Sequence, residues 1–186
     1  MANIYVLLIR SNTMFSRMIH MVTGAQYTHA AISLDPNCSR VYSFSRKYTY
    51  IPLPAGFVSE SVHRGLMHKC RNAPFALYRA QISEEQYRRL EQRFERMLAV
   101  GKFHYSLTGP FLCFFGIQRK KSYHYFCSQF VAEILQELGV ISAKKPASLY
   151  QPVDFAFLSE LELCCKGNLG ELQNRRESRK RLSVSM

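Results

Sequence analysis

Residues 127–138, CSQFVAEILQEL, place apolar side chains three and four apart: Cys127, Phe130, Val131, Ile134, Leu135 and Leu138. That spacing lines one face of an α-helix, and Gly139 stands where such a helix stops. A stripe this apolar has to be buried against another element, and the upstream sequence offers strands to receive it. Ile4–Ile9 is apolar throughout and rich in branched side chains, which predicts a buried strand. His29–Leu34 and Val41–Phe44 predict two more, joined across the turn residues Asp35, Pro36 and Asn37 as a hairpin. Phe75–Ala80 predicts a fourth. This order of elements implies an α+β fold with a small, mostly antiparallel sheet.

Two further helices are expected. Ser83 and Gln86 form a capping-box pair, Glu84 and Glu85 suit the positive helix end, and Gly101 closes a helix running to Val100. Asn12 or Thr13 can cap a shorter one from Met14 to Val22. Residues 45–75 read as irregular, punctuated by Pro52, Pro54, Gly56, Gly65 and Pro74, and residues 102–125 as an aromatic-rich loop. The stretch SLYQPVDFAF, from Ser148, reads as a turn and a last strand or short helix. A chain of 186 residues fits one domain, assigned here to residues 1–170. A basic tail, 171–186, follows it and carries Arg175, Arg176, Arg179, Lys180 and Arg181 against one acid, Glu177.

The longest apolar runs, Ile4–Ile9 and Pro110–Ile117, are far shorter than the roughly 20 residues of a membrane helix. The start, MANIYVLLIRSNT, has neither a basic leader nor a small-residue cleavage site, so a cytoplasmic protein with reduced thiols is expected. Six scattered cysteines without a CxxC pair fit no disulfide framework. His124 and Cys127 lack the second ligand pair a zinc site needs, so no metal and no cofactor is expected. The formal charge of +12 comes without a nucleic-acid recognition motif. Weak contact of the tail with an anionic surface is expected, and specific nucleic-acid binding is not.

Cys127 at the head of its helix has two readings. As a free cysteine it is a small hydrophobe of the buried stripe. As a nucleophile it profits from the unpaired N–H groups and partial positive charge of the first helical turn, which favour thiolate and can hold an oxyanion. The second reading requires a base. His29 is the best of six histidines: it begins a strand on which His29, Ala31 and Ser33 share one face, and the small Ala30 and Ala31 leave room for a helix head. The alternative for His29 is a hydrogen-bonded group at a strand end.

YTHAAISL, then VYSF after the hairpin, then YFCSQFVAEILQELGV, then SLYQPVDF, resemble the circularly permuted papain-like cysteine hydrolases of the NlpC superfamily, in particular the YiiX-type amidases. Lecithin retinol acyltransferase-like enzymes are more distant relatives. The resemblance implies a permuted papain-like fold with the catalytic helix packed on an antiparallel sheet, Cys127 as nucleophile and His29 as general base. It puts Ser43 where the family has a polar, often glutamate, residue that orients the histidine. Tyr27, Tyr125 and Ser128 become candidates for contact with oxyanion or substrate, and Pro152 and Asp154 match a post-helix turn. The implied function is thiol-dependent hydrolysis of an amide or ester in a small, peptide or lipid-like substrate, with the aromatic stretch Phe103–Phe115 as a lining for an apolar group. The alternatives are an acyltransferase and a non-catalytic binding module of the same fold.

Overall fold

The computed structural model describes residues 1–10, 24–46, 55–101, 104–106, 109–117 and 124–174. Its strands are β1 (Ala2–Ile9), β2 (His29–Ser33), β3 (Val41–Arg46), β4 (Ala55–Glu60), β5 (Pro74–Ile82), β6 (His104–Tyr105), β7 (His124–Tyr125) and β8 (Glu162–Asn168). The helices are α1 (Gly65–Lys69), α2 (Glu84–Val100), α3 (Gly109–Phe114) and α4 (Cys127–Glu137), with 3₁₀ turns at Ala147–Leu149 and Pro152–Phe157. The strands form one sheet in the order β7-β6-β4-β3-β2-β1-β5-β8. Its six longer strands pair antiparallel, and the two-residue β6 and β7 pair in parallel at one edge.

β1 sits at the centre of the long strands, paired from Ala2 to Ile9 with β5 and from Tyr5 to Ile9 with β2. Its side chains alternate between two cores, which is why the run is apolar on both faces. Ile4, Val6 and Leu8 face α2 and α4 together with Ala30, Ile32, Tyr42 and Phe44. Tyr5, Leu7 and Ile9 face the other way with Ala31, Cys38, Val41, Met67 and Leu172. The α4 side is held by an aromatic cluster in which Phe44, Phe57, Phe94 and Phe130 meet with ring centroids 5.4–5.9 Å apart. Ring pairs at such separations add to ordinary apolar burial. The cluster joins β3, β4, α2 and α4, and an Arg93–Glu137 ion pair and a Gln86 Nε2–Leu138 carbonyl hydrogen bond of 3.0 Å tie α2 to α4 as well.

The α+β class, the hairpin and the capping box are found as expected. Asp35 shapes the hairpin, its carboxylate accepting the N–H groups of Asn37 at 2.9 Å and Ser39 at 3.0 Å. Ser83 Oγ accepts from Gln86, whose side chain accepts from Ser83 in return, and Gly101 ends α2 at φ +64. Three expectations need correction. The sheet has eight strands and is not small. Residues 45–75 contain β4 and α1, and residues 102–125 contain α3. SLYQPVDFAF holds the short helical turns that were one of its two expected forms, and the last strand is the later β8. Residues 169–174 are helical and bury Leu169, Leu172 and Gln173 on the sheet, so the packed domain extends past residue 170. The helix expected at Met14–Val22 and the arginines and lysine from Arg175 to Arg181 lie outside the described residues.

Candidate active site

β2 and β3 pair only at Ile32–Tyr42 and Ser33–Val41, after which β3 continues on β4 alone. Among the described residues, His29, Ala30 and Ala31 therefore have no ladder partner on the β3 side. α4 packs against both strands where they part. Its N-cap is Phe126, which gives no side-chain cap, and no acid stands in the first turn. A helix begun this way leaves its leading N–H groups without intrahelical partners.

Cys127 occupies that position and is buried. Three main-chain N–H groups, those of Ala30, Ser128 and Cys127 itself, hydrogen-bond toward its sulfur and lower its pKa, but burial outweighs them and the thiol titrates above its usual range. At neutral pH the sulfur is thus protonated, in a nest of donors that would stabilise the thiolate once formed.

His29 heads β2 opposite Ile9 and is partly exposed as a residue. Its ring is desolvated enough to hold its pKa down at about 4, with no neighbouring charge contributing. The imidazole is neutral at pH 7, as a general base must be. Strand alternation puts Ala30 and Ile32 on the α4 side and Ala31 on the other. His29 shares the parity of Ala31, and the part of β2 that acts on the sulfur is the Ala30 N–H.

Ser43 makes no hydrogen bond to His29 among the described residues. It lies on β3 opposite Val58, wholly buried, and its Oγ has no hydrogen-bond partner among the described residues. The β2–β3 pairing ends at Tyr42, so at Ser43 β3 keeps β4 as its ladder partner and no longer pairs with β2. The other candidates have structural surroundings. Tyr27 is buried in the α4-side core, with its hydroxyl pKa raised by burial. Tyr125 packs its ring 5.0 Å from that of Phe44. Ser128 is buried, and its contribution to the sulfur is its main-chain N–H. Asp154 closes a turn, its carboxylate accepting from the Gln151 N–H at 2.9 Å and from Lys145 at 2.5 Å.

Two features near the sulfur were not anticipated from the sequence. Gly109 begins α3 directly against Phe126, the residue before Cys127: a Cβ on Gly109 would stand 2.5 Å from Phe126 Cδ1. Cys113, on the same helix, points its sulfur at the Tyr150 carbonyl at 3.5 Å, and burial pushes its pKa up to about 11. The signal for Gly109 was its place before Pro110, which starts helices readily. Phe114 and Phe115 are exposed, and Phe103 lies outside the described residues. None of the six cysteines is in a disulfide. Among the described residues no group of three His, Cys, Asp or Glu could hold a metal ion, and no helix is long and apolar enough to cross a membrane. A cavity of about 770 Å³ opens beside Tyr5, Leu77, Arg79, Cys164 and Cys165; neither Cys127 nor His29 borders it.

Comparison of the sequence with protein-family models gives no match, and comparison with curated proteins gives none either.

Proposed function

We propose that the chain is a thiol-dependent hydrolase of amides or esters, built as a permuted papain-like domain in which the histidine strand β2 precedes the cysteine helix α4. The observation that carries this reading is the convergence of three main-chain N–H groups on Cys127 Sγ at an uncapped helix head. A buried cysteine of a purely structural stripe has no need of such donors.

In the proposed reaction His29 removes the Cys127 proton as sulfur attacks the carbonyl carbon. The C–S bond forms, the carbonyl electrons move to oxygen, and the helix-head N–H groups stabilise the resulting oxyanion. Imidazolium then gives its proton to the departing amine or alcohol as the C–N or C–O bond breaks. Water, deprotonated by the same imidazole, releases the acid from the thioester. The neutral resting forms of both residues make proton transfer part of the attack itself, in contrast to a preformed thiolate–imidazolium pair. Because β2 aims His29 with Ala31, the proposed reaction requires the ring to come to Sγ round the head of the strand, where the β2–β3 pairing has ended.

The test is a screen of amide and ester substrates with mass-spectrometric detection of a thioester on Cys127. Turnover is expected, lost in Cys127→Ala and reduced about 10²- to 10⁴-fold in His29→Ala, the usual worth of a general base. Turnover that persists in Cys127→Ala would end the proposal. The unbonded Ser43 favours the second reading, a non-catalytic binding module; retention of a panel compound without any acyl adduct would decide for it.

A further inference from the structure

β8 carries two consecutive cysteines, Cys164 and Cys165, and the strand is irregular where they stand. Leu77 of β5 faces Cys165 and Tyr78 faces Leu163, so Cys164 is the extra residue of a β-bulge. On a regular strand neighbouring side chains leave by opposite faces, which splits a Cys-Cys pair across the sheet. Here both serve one face. Cys165 packs against the cluster that holds Tyr5, Cys38 and Leu77. The Cys164 thiol raises the pKa of the Tyr5 hydroxyl and of the Cys38 thiol, two members of that cluster. Both cysteines also border the cavity of about 770 Å³, which has the size of a small-molecule site.

The pair is poorly placed to close on itself. Consecutive Cα atoms are about 3.8 Å apart, whereas disulfides usually span about 4.4–6.8 Å. A single thiophilic atom set between the two sulfurs removes that limit, and the surroundings constrain its charge. Burial holds the Cys164 thiol above its usual range, the Cys165 thiol and the Glu162 carboxylate add to the rise, and Arg79 opposes them. Two adjacent thiolates, which a divalent metal ion would need, are thus disfavoured. Trivalent arsenic does not need them, because its hydroxides are neutral in neutral water and condense with neutral thiols. Pro36, Leu77 and Leu172 give the cavity an apolar wall for an organic substituent on the arsenic.

We propose that Cys164 and Cys165 form a two-sulfur site for an organic arsenous acid, a trivalent arsenic bearing one carbon substituent and two hydroxyls, with the substituent lying in the cavity. Two As–O bonds break and two As–S bonds form. Each thiol proton leaves with a hydroxyl as water, and the arsenic stays trivalent. The site faces the core on the side of the sheet away from α4, and the inference is independent of catalysis by Cys127.

The test uses phenylarsine oxide, which hydrates to the phenyl member of this class, on the full chain with its thiols reduced. Intact-mass measurement should show one phenylarsenic group per chain, resistant to excess monothiol and removed by a dithiol. Peptide mapping should place it on Cys164 and Cys165. Cys164→Ser and Cys165→Ser should each weaken retention at least about a hundredfold through loss of the second attachment, while Cys113→Ser should not change it. Cys164 is exposed, and an unchanged circular dichroism spectrum would confirm a folded variant there. Because the bulge brings the sulfurs to one face before binding, the native chain should bind better than the unfolded one. At roughly a hundredfold excess over Kd the thermal midpoint should therefore rise by about 5–10 °C, with no rise in Cys164→Ser. The proposal is overturned if no adduct forms, if the adduct maps to Cys113 and Cys127, or if either serine variant holds it against monothiol as wild type does. It is also overturned if the wild-type midpoint stays or falls, since the pair would then react through adjacency in the chain and not through the fold.

Discussion

The protonation state of His29 can be read from stability alone, without a substrate. Burial lowers its pKa from 6.5 to about 4. Between those values the unfolded chain binds a proton on His29 that the folded chain does not. Acid therefore favours unfolding: the neutral imidazole contributes its full share of stability above pH 6.5 and loses it as pH falls toward 4. At about pH 4.5 the loss is about 2.5 kcal/mol relative to about pH 7.5, from one proton and the two pKa values. Carboxylates titrate in the same interval, so the quantity to measure is a difference between two proteins. Urea denaturation of wild type and His29→Gln at both pH values gives it. Wild type should lose about 2.5 kcal/mol more than the variant, whose side chain has no proton to gain. Equal losses would show that the ring is solvated and would remove the physical basis for a neutral base. A reversed sign, with wild type gaining on the variant in acid, would mean an imidazolium paired to thiolate, and the resting state argued above would be wrong.

Ser43→Ala should leave stability unchanged or raise it by about 1 kcal/mol, because it deletes a buried hydroxyl without a partner; a loss of activity in the folded variant would instead restore Ser43 as an orienting group. Gly109→Ala should destabilise by about 1–3 kcal/mol in chemical denaturation and slow any thiol-dependent turnover, since the added Cβ drives Phe126 toward Cys127; an unperturbed variant would show that Phe126 moves freely. Thiol labelling followed by mass spectrometry should modify exposed Cys164 first and Cys38 last, its thiol buried and shifted far upward, with Cys127 slow near pH 6 despite its helix position. Fast labelling of Cys127 at that pH would contradict a protonated resting sulfur.

Where the sequence was legible, one residue type had one physical use. The stripe from Cys127 to Leu138 has no solution except a helix on a sheet, and the Ser83–Gln86 cap and the Asp35 turn close local hydrogen bonds that need no distant partner. β8 was not legible, because ELCCKGN is an edge strand exposed along most of its length, so no alternation of polar and apolar residues marks it. β4 was hidden by Gly56 and by the prolines before it; its pairing is set by β3, a long-range choice that no local pattern reports. The same limit applies at the site. Composition put a cysteine at a helix head and a histidine at a strand head, and the fold does set α4 beside β2. What periodicity alone did not give is the early parting of β3 from β2. That parting leaves residues 29–31 without ladder partners on one side among the described residues, and Ser43 where β3 pairs with β4 alone. The end of one ladder thus leaves the Ala30 N–H to the Cys127 sulfur and Ser43 without a hydrogen bond to His29 among the described residues. If the protein is a hydrolase, its histidine is positioned by desolvation and by the strand end. The efficiency of its base should then respond to residues that exclude water from His29 more than to any hydrogen-bonding side chain on β3.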